Sequence, residues 1–140
     1  MISRHTILYA EDDEDDLFMV KKAFERHDHI KIEHATNGLE AIRLLETMIE
    51  KNLKPCLIIL YINMPVLDGR ETLARIKNND ETKNIPIVLF STSSSQTDKL
   101  YADKWGVELF TKPLHYDDLE TIALNFVDRC NFEINKLGTK

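Results

Sequence analysis

A chain of 140 residues, 43% hydrophobic and 30% charged, has the size and make-up of one ordinary globular domain with one core. A net charge of −6 without a lysine or arginine stripe argues against a nucleic-acid surface. No run reaches the roughly 18 consecutive apolar residues of a membrane span, and the start, Met1-Ile2-Ser3-Arg4-His5, lacks the apolar stretch of a signal peptide, so a cytoplasmic protein is expected. The two cysteines, Cys56 and Cys130, lie far apart and match no metal spacing, which predicts reduced thiols.

In chain order, short apolar runs alternate with amphipathic stretches. Residues 7–10 form the first run and stop at Glu11-Asp12-Asp13-Glu14-Asp15-Asp16. Leu17, Val20, Ala23 and Phe24 then make a helical stripe. The second run, 30–35, is followed by Asn37-Gly38 and a stripe of Leu39, Ile42, Leu45 and Ile49. The third, 57–61, leads through Asp68-Gly69 to a helix carrying Leu73 and Ile76. After the fourth, 87–90, Ser95 with Asp98 three residues on reads as a capping-box-like helix start. The fifth, 107–110, precedes Lys112-Pro113 and the strongest stripe: Leu119, Ile122, Ala123, Phe126, Val127 and Cys130. Residues from about Asn135 are expected to fray.

The runs around Leu8, Ile59 and Val88 are nearly continuous apolar, as a parallel strand covered on both faces must be. Five strand–helix units predict an α/β fold: a five-stranded parallel sheet, doubly wound in the flavodoxin-like manner. Ligands in such sheets bind beyond the carboxyl ends of the strands. That rim gathers Glu11 and its acidic neighbours, Tyr61 and Asn63, Ser91 and Thr92, and Lys112.

Each of these has a plainer explanation. An acidic run suits a helix N-terminus, and Glu14, Asp15 and Asp16 are read that way. Asp13 fits either role. Glu11 and Asp12 sit where the apolar strand stops, and adjacent carboxylates there suit a hard cation such as Mg²⁺. Lys112 could be a loop lysine, yet its place at a strand end lets it pair with the carboxylates or a phosphoryl oxygen. Ser91 and Thr92 could simply begin a turn-like serine-rich loop. A hydroxyl at that strand end is also placed to bond a phosphoryl oxygen.

Taken together, Glu11-Asp12-Asp13, Asn63-Met64-Pro65 with Asp68-Gly69, Ser91 and Lys112-Pro113, in that order, resemble the CheY-like receiver domain of bacterial two-component response regulators. The resemblance covers about residues 5–130 of a single receiver domain, 1–140. The serine-rich stretch 91–95 and the extended connection 48–55 are most similar to the stand-alone receivers that partner bacterial phytochromes. The resemblance implies that Glu11 and Asp12 hold Mg²⁺, with Asp12 favoured as direct ligand, and that the Asn63 carbonyl is a further ligand. It implies that Ser91 moves toward the phosphoryl group and that Lys112 contacts a phosphoryl oxygen. Leu109 falls on a switch position where the family often has Tyr or Phe. Phe110, its neighbour, faces the other way along a strand.

Tyr61 falls on the family's phosphoacceptor aspartate. A phenol is neutral near pH 7 and cannot form an acyl phosphate. The pocket thereby loses its nucleophile and one metal ligand, and Mg²⁺ binding should weaken. The Tyr61 hydroxyl is expected to reach Lys112 or Ser91 and so imitate part of the occupied state. Three origins compete: a natural pseudo-receiver, an altered copy of an ordinary phosphoacceptor, or transfer of the role to Asp12 or Asp13. The last ranks lowest, because those acids are needed for the metal.

The resulting expectation is a non-enzymatic module of phosphorelay signal transduction. Its partners would be a sensor histidine kinase or phosphotransfer protein and, through the fourth helix, fifth strand and fifth helix, a second copy of itself. No nucleic acid or membrane is expected. The rival is a Mg²⁺-dependent haloacid-dehalogenase-like phosphatase using Asp13-x-Asp15. A nucleotide- or flavin-binding module fits less well, because the first strand–helix turn is acidic and lacks glycine.

Overall fold

A computed structural model describes residues 5–92 and 95–138, with side chains as far as 135. The opening residues 1–4, and Ser93 and Ser94 of the serine-rich stretch, lie outside the described residues. Strand and helix alternate throughout: β1 (His5–Ala10), α1 (Glu14–Ala23), β2 (Ile30–Ala35), α2 (Gly38–Glu50), β3 (Leu57–Tyr61), α3 (Gly69–Lys77), β4 (Ile87–Ser91), α4 (Gln96–Trp105), β5 (Glu108–Thr111) and α5 (Tyr116–Gly138). The sheet is parallel, in the order β2-β1-β3-β4-β5. The order reverses between β1 and β3, so the crevice for a ligand opens above those two strands.

The period of two along each strand divides the core. Ile7, Tyr9, Leu57, Ile59, Val88 and Phe90 face α1 and α5. Leu8, Ala10, Ile58, Leu60 and Leu89 face the other side, with residues of α2, α3 and α4. Leu109 belongs to the second cluster, whereas Phe110 lies 5.0 Å from the Phe126 ring in the first. The two neighbours therefore point to opposite faces, and Phe110 does not take the Leu109 position.

Short polar side chains start the helices. Asp13, Asn37 and Asp68 accept the backbone N–H three residues on, at 3.0, 2.9 and 2.9 Å. Ser95 does the same for Asp98 at 3.3 Å. Asp98 turns its own carboxylate to Arg70 instead of closing a capping box. Gly106, in the left-handed region at φ 68°, ends α4, and Val107 N–H bonds the Ala102 carbonyl. Val107 thus completes the helix end, and β5 starts one residue later than its apolar run.

The α5 backbone is helical through Gly138. One expectation is corrected. Cys56 and Cys130 are not separate thiols. They form a disulfide with Cα atoms 5.0 Å apart, although 74 positions separate them in sequence. Cys56 precedes β3 directly, and Cys130 lies on the core-facing stripe of α5, so the fold brings them together.

Candidate functional site

The carboxyl ends of β1, β3, β4 and β5 meet around one ammonium group. Lys112 follows β5, and its backbone N–H bonds the Ser91 carbonyl at 2.7 Å, which fixes the root of the side chain. Its Nζ lies 2.5 Å from Glu11 Oε1 and 2.8 Å from Asp16 Oδ2. It also sits 3.5 Å from the centre of the Tyr61 ring, a cation–π contact. Only 12% of the lysine side chain is exposed. Burial pulls the Lys112 pKa down, but hydrogen bonds and charge from Asp16 and Glu11 outweigh it and leave it above the ordinary lysine value.

Glu11 is wholly buried. Its backbone is pinned on both sides: the N–H bonds the Ala35 carbonyl, and the carbonyl lies 2.7 Å from His34 Nε2. Its carboxylate takes three donors. They are the Tyr9 hydroxyl at 2.7 Å, Lys112, and the Asp13 N–H at 3.2 Å. Burial pushes the Glu11 carboxyl above its ordinary value, against the lowering pull of Lys112, Tyr9 and Asp13. Burial, followed by the charge of Glu11, drives the Tyr9 phenol far upward, so Tyr9 is a standing donor.

Tyr61 ends β3 beside Phe90 of β4. The close approach of α3 holds this strand end. A Cβ on Gly69 would lie 2.4 Å from the Tyr61 carbonyl oxygen, and the Gly69 N–H bonds the Ile62 carbonyl at 2.8 Å. Lys112 meets the face of the Tyr61 ring, so the contact expected of the hydroxyl is made by the π-system instead.

Ser91 ends β4 and is wholly buried, with Oγ 3.5 Å from Asp98 Oδ2. Asp98, also buried, pairs with Arg70 at 2.7 Å, which ties α3 to α4. The Tyr101 hydroxyl donates to the Arg70 carbonyl at 2.7 Å, reinforcing that junction.

Glu11, Tyr61 and Lys112 are therefore brought into contact. Asp12 and Asn63 lie exposed on the rim. Among the described residues, no group of three or more His, Cys, Asp or Glu could hold a metal ion.

Asp13 caps α1, so its carboxylate accepts from the Asp16 N–H. Sequence reasoning passed over Tyr9 and Asp16. Asp16 reads as part of a solvated helix start, but it stands four residues before buried Val20, on the inward stripe. That spacing is the signal that could have found it. Tyr9 sits on β1 two residues before Glu11, which follows the strand directly, so the alternation of the strand carries Glu11 to the same side.

Residues 7–124 match the response regulator receiver domain family. The chain is 35% identical over 118 residues to response regulator Rcp1 of a Synechocystis species, covering 81% of this chain and 80% of that protein. It is 26% identical to protein PilH of Pseudomonas aeruginosa, covering 81% and 89%. Its fold matches the phosphorylated cyanobacterial phytochrome response regulator RcpA with a TM-score of 0.80, at 28% identity, over 89% of this chain and 91% of the other. It matches the Mn²⁺-bound form of Rcp1 with a TM-score of 0.76, at 31% identity, over 85% and 88%. Among the described residues, no helix is long and apolar enough to cross a membrane.

Proposed function

Because the chain belongs to the response regulator receiver family, we propose that it acts as a stand-alone receiver that signals by protein contact and takes no phosphoryl group at position 61. The partner class is a sensor histidine kinase or a phosphotransfer protein, and the setting is the cytoplasm. A second copy could dock through α4, β5 and α5.

The observation that carries this reading is the Lys112 ammonium seated on the Tyr61 ring. Phosphoryl transfer to a receiver needs a carboxylate nucleophile and a cation free to meet the incoming oxygens. At position 61 the chain supplies a phenol, and Lys112 is already engaged by Tyr61, Glu11 and Asp16. No observation favours the phosphatase alternative, since Asp13 of the Asp13-x-Asp15 pair is engaged as the cap of α1.

The test is acetyl-phosphate labelling with Mg²⁺, read by intact mass, on this chain and on Tyr61→Asp. The expected result is no adduct on the chain as it stands and a phosphoryl adduct on the variant. A phosphoryl adduct on the unaltered chain overturns the reading.

A further inference from the structure

The pocket departs from a divalent-metal site at Glu11. A hard cation requires several oxygen ligands left free to converge on it. The Glu11 carboxylate is wholly buried and already takes three donors, from Tyr9, Lys112 and Asp13. Tyr61 turns a ring face, not a carboxylate, toward the ammonium. The positive charge in this pocket is supplied by Lys112 itself, held on three sides by Glu11, Asp16 and Tyr61.

We propose that Lys112 serves as a built-in cation in place of an exchangeable divalent one, and that Tyr9 is the positioning residue that keeps Glu11 turned toward it. This rests on the receiver reading given above. Tyr9 is wholly buried in the core shared with α1 and α5, and a buried phenol needs an acceptor. Glu11, two residues on, is that acceptor at 2.7 Å. The bond holds the carboxylate inward, over the core and under Lys112. Outer partners of this kind orient the groups that would ligate a metal. A divalent ion would have to displace the ammonium from two carboxylates and an aromatic face, with Glu11 still held by Tyr9. Phenylalanine at position 9 keeps the ring volume and removes only the hydroxyl, so it separates orientation from packing.

The experiment measures Mn²⁺ uptake from the electron paramagnetic resonance of the free ion, with circular dichroism as the folding control. It uses the full chain, Lys112→Met, Tyr61→Asp and the double variant Tyr61→Asp/Tyr9→Phe. The unaltered chain should take up no Mn²⁺ at millimolar ion. Lys112→Met should gain uptake, because the acids lose their internal counter-charge. Tyr61→Asp should bind, and adding Tyr9→Phe should tighten that binding several-fold, because Glu11 loses the Tyr9 bond that holds it inward and is freed to turn toward the ion.

Mn²⁺ uptake by the unaltered chain, or none by folded Lys112→Met, overturns the built-in cation. Equal affinity in the single and double variants overturns the role of Tyr9, even if Tyr9→Phe lowers the melting temperature. Failure of the receiver reading shows separately, as a phosphoryl adduct on the unaltered chain by mass, with no dependence on Mn²⁺ uptake.

Discussion

The Lys112 ammonium rests 3.5 Å from the centre of the Tyr61 ring. A cation–π contact at a mostly desolvated site contributes on the order of 1–2 kcal/mol. It joins the loop after β5 to the end of β3 across the intervening β4. The same ammonium binds Glu11 and Asp16, so β1, α1 and β3 are all fastened to one side chain.

That fastening sets a pH dependence. The folded-state pKa of Lys112 lies above its ordinary 10.5, so its contribution is full below 10.5 and is lost as pH rises through the folded value. Glu11 acts in the same sense at the acid end. Its raised pKa favours the protonated form in the fold, so its effect on stability falls as pH climbs past the ordinary 4.5. Urea unfolding of the chain and of Lys112→Met, from neutral pH to above 10.5, isolates the lysine. The unaltered chain should lose stability more steeply on the alkaline side, and equal slopes would show that the ion pair contributes nothing.

The Cys56–Cys130 bridge closes a loop of 74 positions between the start of β3 and the core stripe of α5. In the chain-entropy account a loop of that size gives about 4 kcal/mol, with about 2–4 kcal/mol typical of native disulfides. The Cys56→Ala/Cys130→Ala variant should therefore unfold at markedly lower denaturant than the oxidised chain. Both sulfurs are buried, at 6% and 0% exposure. Reduction of the folded protein should then be slow and should accelerate as denaturant opens α5. Fast reduction under native conditions would show that α5 is not held as the packing indicates.

Val66, in the loop between β3 and α3, has φ 67° and is 74% exposed. A β-branched residue in the left-handed region carries a steric penalty of about 1–2 kcal/mol. Glycine tolerates that region, and little packing is lost by removing an exposed side chain, although its unfolded chain is more flexible. Val66→Gly should raise the unfolding free energy by about 1 kcal/mol or less. A decrease would mean that the loop relaxes or that the Val66 side chain makes a contact worth more than the strain.

Leu100 on α4 and Leu124 on α5 are 60% and 51% exposed, on the two helices next to the edge strand β5. Exposed apolar residues around an edge strand favour a partner with the same face. If a second copy docks there, light scattering should show a concentration-dependent dimer that Leu124→Asp shifts to monomer with no change in circular dichroism. A dimer indifferent to Leu124→Asp would place the contact elsewhere.

Much of this architecture was readable in the chain. The five strands and the parallel, doubly wound sheet followed from apolar runs of strand length between helical stripes. The caps at Asn37, Asp68 and Ser95 followed from side chains that compete for backbone N–H groups. The rim positions of Glu11, Tyr61, Ser91 and Lys112 followed from where those runs stop. The start of β5 was misread by one residue, because the left-handed turn at Gly106 claims Val107 for the helix end.

What only the tertiary structure decided is how those rim groups are shared. Local pattern fixes which face of an element a residue occupies, because backbone geometry repeats at 2 or 3.6 residues. It does not fix which side chain from another element arrives opposite. Asp16 looked like a solvated helix start until α1 packed beside the loop carrying Lys112. Tyr9 looked like one more core residue until its hydroxyl met Glu11. Cys56 and Cys130 looked unrelated until α5 crossed the sheet. The sequence by itself determined a receiver fold with an acid, a tyrosine and a lysine on one rim. The packing of α1 and α5 against that rim decided that the lysine is already held by its neighbours, because contacts between distant segments exist only once the sheet has placed them.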